Sequence, residues 1–191
     1  MNEYVKIRQQ LKAMLSPSRY EHTLSTQKEA IKLANENGVN ENKASLAALL
    51  HDCAKNMSTD EMLDFIKTER IRIDEITMLN PSLLHSIAGK VIARYKFGIT
   101  DEDILGAIEF HTTGKADMTK LQKIIFLADI IEETRHYDGV EEIREIAHVD
   151  MDEAIIKSLD RIITFILSEG KLLHPNTIQA RNYLLIRNLE K

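Results

Sequence analysis

Helical periodicity runs through almost all of this 191-residue chain and limits its fold more than any other feature. Apolar residues recur every three or four positions, and no stretch shows the alternation that is typical of a half-buried strand. Glycine (7) and proline (3) are scarce, so no Gly-rich or Pro-rich linker divides the chain. The sequence therefore predicts an all-α fold, a globular helical bundle that forms one domain over residues 1–191.

Capping residues set the ends of the predicted helices. Ser16-Pro17 suits a helix start, Ser58 with Glu61 has the form of a capping box, and Gly98 suits a helix stop. Gly38 and Gly170 are predicted stops of the same kind. The predicted helices span residues 3–14, 18–37, 41–54, 59–69, 85–97, 101–112, 119–134, 140–147, 151–169 and 175–189.

Composition excludes several classes of protein. Apolar residues make up 43% and charged residues 29%, an ordinary balance for a globular protein. The net charge of −5 argues against a nucleic-acid binder, which usually carries a basic face. No apolar run approaches the roughly 20 residues that a membrane-spanning helix needs. The single cysteine allows no internal disulfide, which favours the reducing cytoplasm.

Two aspartates stand where the helical pattern predicts buried apolar residues. The apolar run 46–50 leads directly into His51-Asp52. In a later helix, Leu121 and Ile125 begin a stripe with a spacing of four, and its next member is Asp129. A buried carboxylate is costly unless it is paired or bound to a metal ion.

Several histidines also stand where the helical pattern predicts apolar residues. His111 continues a stripe set by Ile104 and Ile108, while His85 begins a helix on an apolar face and His22 lies early in a long amphipathic helix. A single histidine on such a face is more often a hydrogen-bonded core residue than a metal ligand. Several of them, together with an adjacent His-Asp pair, favour a shared metal site. The other histidines have polar surroundings and are not predicted to bind metal: His136, His148 and His174.

These residue types also limit the metal. Imidazole and carboxylate ligands suit iron, manganese, cobalt or zinc. No thiolate is among the candidates, so a structural zinc cluster is not expected. Cys53 follows Asp52, but on a helix its side chain points about 100° away, so it is interpreted as part of the core.

The order His22, His51-Asp52, Asp129 resembles the H…HD…D motif of HD-domain phosphohydrolases. Five local sequences sharpen the resemblance: SRYEHTLST at 18–26, ALLHDCAK at 48–55, LLHSIAG at 83–89, AIEFHTTG at 107–114 and KIIFLADIIEETR at 123–135. Together they are similar to bacterial YqeK-type proteins, a group of symmetrical bis(5′-nucleosyl)-tetraphosphatases. The sequence around Asp129 reads ADIIEE, where the family often has ADYIEP, which leaves the shape of the nucleotide pocket open.

This resemblance implies an HD fold that binds iron, manganese or cobalt as one ion, with room for a second. It implies hydrolysis of diadenosine tetraphosphate to two ADP by metal-activated water. Carried over by motif, the metal ligands are His22, His51, Asp52 and Asp129. His85 and His111 match positions that hold a second metal in some HD proteins, and they are alternatively expected to contact the substrate phosphates.

Further roles are predicted around the metal. Asp52 would also orient the nucleophile, and His85 and His111 would protonate the leaving group or hold its phosphates. Other residues are candidates for substrate binding, each with an ordinary structural role as the alternative: Arg19, Lys55, Thr112, Arg135 and His136. The charged run 141–145 is interpreted as a solvated helix face.

Several functions compete with this prediction. The nearest is an HD nucleotidase that acts on mononucleotides. A cyclic-dinucleotide phosphodiesterase lacks its expected motif extension here, and a di-iron oxygenase fits the local sequences less well. A nucleotide-sensing regulator without turnover would have no need of Asp52, and a purely structural helical protein would have no use for Asp129 in an apolar stripe. The oligomeric state is left open.

Overall fold

The computed structural model of the protein describes residues 3–190, and over this range it is built of helices joined by turns and loops, without strands. The predicted all-α fold is confirmed. Its helices are α1 (Glu3–Met14), α2 (Pro17–Glu36), α3 (Glu41–Leu50), α4 (Thr59–Thr68), α5 (Glu75–Leu79), α6 (Pro81–Phe97), α7 (Glu102–Phe110), α8 (Lys120–Ile131), α9 (Val140–Ala147), α10 (Met151–Ser168) and α11 (Pro175–Leu189).

The predicted capping residues stand at helix ends as expected. The Ser16 hydroxyl accepts a hydrogen bond from the backbone N–H of Arg19, with Pro17 in the first turn of α2. Ser58 and Glu61 form a reciprocal capping box at the start of α4. Gly98 ends α6 in the left-handed conformation, with φ 68°.

One helix was missed and three predicted helix boundaries were wrong. The short helix α5 was missed because its five residues are too few to show a helical period; it starts at the cap provided by Asp74. Helix α6 begins at Pro81 rather than 85, since proline suits a first helical turn. Helices α3 and α8 end three or four residues earlier than predicted, at Leu50 and Ile131, and tighter turns follow them.

The core forms where α2, α3, α7 and α8 pack against one another, with α6 against α7. Helix α10 packs against α8, α9 and α11 on the other side of α8. Helix α3 is lined by small and branched residues such as Ala47, Ala48 and Leu50, all fully buried, so its neighbours approach closely. Its final turn therefore lies deep inside the molecule. Among residues 3–190, none of the helices combines the length and the apolar character needed to cross a membrane.

Candidate metal centre

Five helices bring the predicted histidines and aspartates to one place. His22 lies in the second turn of α2, while His51 and His111 are the residues that directly follow α3 and α7. His85 lies in the second turn of α6, and Asp129 in the last turn of α8. Asp52 follows His51 in the turn after α3. We refer to His22, His51, Asp52, His85, His111 and Asp129 as the six-residue cluster.

Asp52 lies at the middle of this cluster and divides it into two groups. Its Oδ2 atom lies 3.7 Å from His22 Nε2 and 3.5 Å from His51 Nε2. Its Oδ1 atom lies 3.0 Å from His85 Nε2 and 3.5 Å from His111 Nε2. Each oxygen of the Asp52 carboxylate therefore faces a different pair of imidazoles.

Asp129 completes the first group. Its Oδ1 atom lies 2.9 Å from His22 Nε2 and 3.8 Å from His51 Nε2, and the two histidine Nε2 atoms are 3.3 Å apart. In the second group, His85 Nε2 and His111 Nε2 are 3.1 Å apart. The ligand atoms of His22, His51 and Asp129, and likewise those of His51, Asp52 and His111, are close enough together to hold a metal ion.

All four histidines of the cluster turn Nε2 inward because Nδ1 is engaged on the other side. Nδ1 of His51, His85 and His111 donates to the carbonyl of the residue three positions earlier, at 2.6 Å, 2.6 Å and 2.7 Å. A carbonyl can only accept, so Nδ1 carries the proton and a neutral ring presents a lone pair at Nε2. This arrangement is typical of histidines that bind metal.

His22 is oriented by a carboxylate that the sequence analysis missed. Glu132 is fully buried, and its Oε1 atom lies 2.9 Å from His22 Nδ1. Thr134 holds Glu132 in place with two hydrogen bonds, from its backbone N–H and its hydroxyl. A sequence signal existed, because Glu132 lies three residues after Asp129, a spacing that places two side chains on one face of a helix.

The charges of the cluster fit a cation. Burial by itself would raise the pKa of the Asp52 carboxyl, but the positive charge that His51 carries when it is protonated outweighs burial and holds this pKa well below its usual range. At Asp129 the contact with His22 and the charge of Arg135 likewise outweigh burial and lower the pKa of the carboxyl. Burial lowers the pKa of His85 to about 4. The centre thus combines ionised carboxylates with a neutral imidazole at His85.

Distances between the donor atoms test whether a metal ion would fit. Two ligand nitrogens that each bind one ion at about 2.1 Å lie about 3.0 to 3.4 Å apart in octahedral or tetrahedral geometry. The separations of 3.3 Å for His22 and His51 and 3.1 Å for His85 and His111 agree with this range. The donor set therefore fits a divalent ion.

Three of the predicted substrate-binding residues surround the cluster with positive charge. Arg19 Nη1 lies 2.8 Å from Asp52 Oδ2, and Arg135 Nη2 lies 2.5 Å from Asp129 Oδ1. Lys55 Nζ lies 3.4 Å from both ring nitrogens of His85, and burial lowers its pKa. Positively charged side chains thus surround this centre, although the chain as a whole carries a net charge of −5.

Two further predicted substrate-binding residues, Thr112 and His136, lie elsewhere. The Thr112 hydroxyl bonds Ser86 Oγ at 3.4 Å and faces a separate small cavity, beside His174. His136 is exposed in the loop after α8. Nothing in these contacts directs either side chain to the cluster, and their role in substrate binding stays a prediction.

Cys53 and the charged run after the loop were also interpreted from sequence. Cys53 is buried with Sγ 3.6 Å from the Gly89 carbonyl oxygen, as expected of a core residue. Glu141, Glu142 and Glu145 are exposed, as predicted for a solvated face. Two members of the run differ. Ile143 is buried, and Arg144 donates to backbone carbonyls at the end of α8, including those of Ile131 and Glu132.

Comparisons with known proteins agree with this geometry. The HD domain family model matches residues 19–134, a range that contains the whole six-residue cluster. A symmetrical bis(5′-nucleosyl)-tetraphosphatase of Halalkalibacterium halodurans is 42% identical over 95% of this chain and 96% of its own length. A protein of the same name from Bacillus subtilis is 36% identical over 92% and 94%.

A solved structure extends the similarity to three dimensions. A protein from Clostridium acetobutylicum, described as a predicted HD superfamily hydrolase involved in NAD metabolism, superposes with a TM-score of 0.95. It is 41% identical and the match covers 98% of this chain and 99% of that one. These similarities confirm the resemblance predicted from the motifs, and the chain belongs to the HD domain family.

Proposed function

We propose that this protein is a metal-dependent phosphohydrolase that cleaves diadenosine tetraphosphate, and related dinucleoside polyphosphates, symmetrically. In the reaction, water adds to one inner phosphorus and the bond from that phosphorus to the bridging oxygen breaks, so two ADP leave. The names of the relatives from Halalkalibacterium halodurans and Bacillus subtilis, both similar over more than nine-tenths of this chain, support the choice of substrate.

The observation that carries the proposal is the convergence of inward-facing Nε2 atoms on two carboxylates. In our proposal the first ion is held by His22, His51, Asp52 and Asp129. His85 and His111 form a second donor group with the other oxygen of Asp52, at 3.0 Å and 3.5 Å. Imidazole with carboxylate suits iron(II), manganese(II) or cobalt(II). When bound, such an ion activates water for attack and draws charge from phosphoryl oxygens.

The cations around the centre would bind the substrate phosphates. Arg19 and Arg135 already bond the two carboxylates of the first group, and both side chains remain partly exposed. Lys55 occupies the corresponding place beside His85 in the second group. In our proposal these residues bind the phosphate chain and stabilise the charge that develops on it in the transition state.

Asp52 has a further role in the proposal. Because its two oxygens face different histidine pairs, its carboxylate would be held in one orientation. It would therefore place the attacking water consistently relative to the phosphorus. His85 and His111 are proposed to contact the phosphate that departs, as well as serving as donors of the second group.

The test is product analysis with the purified protein. Iron(II), manganese(II) and cobalt(II) are supplied in turn with diadenosine tetraphosphate, and the products are separated by chromatography. We expect ADP alone, lost on chelation and reduced at least a hundredfold in Asp52→Asn. Asp64→Asn is the matched control, because Asp64 is exposed on α4 and bonds only Lys67 among the described side chains.

Other results would contradict the proposal in different ways. AMP with ATP would show that a different bond is cut. Turnover of mononucleotides in preference to the dinucleotide would favour the nucleotidase. Nucleotide binding without turnover in any metal would favour the sensing regulator. A cytoplasmic location and a single domain over residues 1–191 stay predictions from the sequence.

A further inference from the structure

Arg144 of α9 binds the main chain of the segment that directly follows α8. Its Nε donates to the Ile131 carbonyl at 2.7 Å, and its Nη2 donates to the carbonyls of Glu132 and Arg135 at 2.7 Å and 2.8 Å. Three carbonyl oxygens within five residues therefore accept from one side chain, only 21% of which is exposed. Arginine suits this contact, because its planar guanidinium presents five N–H donors in a fixed geometry. Arg144 itself has no part in the proposed reaction.

The segment depends on such contacts because its main chain has left the helix. Glu132, the residue after α8, has φ −54° and ψ 157°, and residues 132–139 form neither helix nor strand. The regular ladder of hydrogen bonds that fixes α8 therefore ends here. Tertiary contacts have to fix the path of the main chain beyond it, and those of Arg144 are made to the main chain itself.

The same segment supports the metal centre at two points. Glu132 is fully buried, and its Oε1 atom lies 2.9 Å from Nδ1 of His22. Arg135 donates from Nε to the Asp129 carbonyl at 2.8 Å and from Nη2 to the Asp129 carboxylate. Nε2 of His22 lies 2.9 Å from Oδ1 of Asp129, so the two supported residues belong to the same group of donors. A shift of the main chain at residues 132 and 135 would move both supports together.

We propose that Arg144 is a positioning residue for the first group of the metal centre. Through the main chain it holds Glu132 where the carboxylate orients His22. It likewise holds Arg135 where the guanidinium binds Asp129. The inference rests on the metal centre of the proposed function, but not on the identity of the substrate. The alternative is that Arg144 stabilises the fold alone, and loss of its side chain would then leave the affinity for metal unchanged.

A double-mutant cycle for metal affinity tests this inference. Calorimetric titration gives the Kd for manganese(II) of the parent protein, Arg144→Met, Glu132→Gln and the double variant. Arg144→Met should raise the Kd at least about fivefold, because loss of the partner that orients a histidine ligand costs about 10- to 100-fold. Charge alone predicts the opposite sign, since removal of a positive charge near a cation site would lower the Kd. In the Glu132→Gln protein the same change should raise the Kd only about twofold, because the support of His22 is already lost.

Two controls separate positioning from charge and from stability. Lys157→Met removes a cation that bonds Glu142 of α9. Leu184→Ala removes a buried side chain of α11 and should lower the midpoint of urea denaturation. Both should leave the Kd for manganese within about twofold. The visible absorption bands of bound cobalt(II) depend on the geometry of its ligands, so they should shift in Arg144→Met and in neither control.

A second variant keeps the test decisive if Arg144→Met does not fold. Arg144→Lys keeps the charge, but its ammonium is a point charge that cannot hold three carbonyls in a fixed fork, so the Kd should rise at least about threefold. An unchanged Kd with unchanged cobalt bands, and only a lower urea midpoint, would overturn the inference. Fully multiplicative effects of Arg144→Met and Glu132→Gln would also overturn it, because Arg144 would then not act through Glu132.

The outcomes also separate this inference from the proposed function. A coupled loss of manganese affinity, in a protein that does not cleave diadenosine tetraphosphate, would support the positioning role while the proposed function fails. Symmetrical cleavage without any coupling between Arg144 and Glu132 would leave the proposed function standing and show that the inference is wrong.

Discussion

At the scale of single residues, the centre depends on how its rings are held as much as on which residues are present. Three histidines donate from Nδ1 to a carbonyl three positions earlier in the chain, a contact that needs only the local helical backbone. His22 differs, because it donates to the side chain of Glu132. The orientation of the His22 ring therefore depends on a side chain that can be substituted, whereas the main chain fixes the orientation of the other three rings.

We predict that Glu132→Gln weakens metal binding about 10- to 100-fold, because the orienting carboxylate of a histidine ligand also raises the basicity of the ring. Titration of the metal-free protein with manganese or cobalt would measure this. Glu133→Gln is the matched control. Glu133 is exposed and bonds Lys28 at 2.7 Å, so its amide should leave the affinity within twofold. Equal affinities in the two variants would show that Glu132 has only a structural role.

The sequence predicted which residues form this cluster better than it predicted the hydrogen bonds that orient their side chains. Polar residues in apolar stripes indicated His111 and Asp129 because burial of a polar group requires a partner. The stripes carry no information about which ring nitrogen faces inward, since that depends on carbonyls such as that of Ala48. Thr112 shows the same limit: it follows His111 directly, yet its side chain faces another cavity.

At the scale of helices, the centre is assembled mainly at helix ends. Helices α3 and α7 stop one residue before His51 and His111, and α8 stops at Ile131, two residues after Asp129. The apolar period predicted that these helices exist, but it ran on beyond their ends, because the turns after α3 and α7 are largely buried as well. The end of α8 is fixed from outside the helix by Arg144 of α9, whose hydrogen bonds reach three backbone carbonyls.

We predict that Arg144→Met lowers the free energy of unfolding by about 2 kcal/mol, because the hydrogen bonds from a charged group to the carbonyls of Ile131, Glu132 and Arg135 are lost. Urea denaturation would measure the change. Lys157→Met provides the comparison, since Lys157 is more exposed than Arg144 and, among the described side chains, bonds only Glu142. Such surface pairs contribute about 0 to 1 kcal/mol. Equal losses would mean that Arg144 does no more than a surface ion pair.

At the scale of the molecule, the metal centre joins segments that are far apart in the chain. The six-residue cluster spans positions 22 to 129 and takes its members from α2, α6 and α8 and from the turns after α3 and α7. An ion bound there would be bound only by the folded state. Metal binding and folding should therefore be linked.

We predict that a manganese concentration about 100 times the Kd raises the Tm by about 5 to 10 °C, and that chelation reverses the rise. Asp129→Leu should abolish the shift, because it removes a ligand from the first group. His148→Ala should keep it, because His148 pairs with Glu36 on the surface, away from the cluster. A shift that survives in Asp129→Leu would place the ion elsewhere, and the metal centre would then be wrong.

Cys53 has a consequence for metal selectivity. Burial raises the pKa of its thiol to about 12, and its sulfur lies against the Gly89 carbonyl. The only sulfhydryl in the chain, one residue away from Asp52, thus stays protonated and turned aside. Soft ions such as Cu(I) compete best where thiolates are offered, and this centre offers them nitrogen and oxygen alone. Because the buried thiol stays inert, the centre offers Cu(I) no thiolate ligand, and its selection among metal ions rests on imidazole and carboxylate alone.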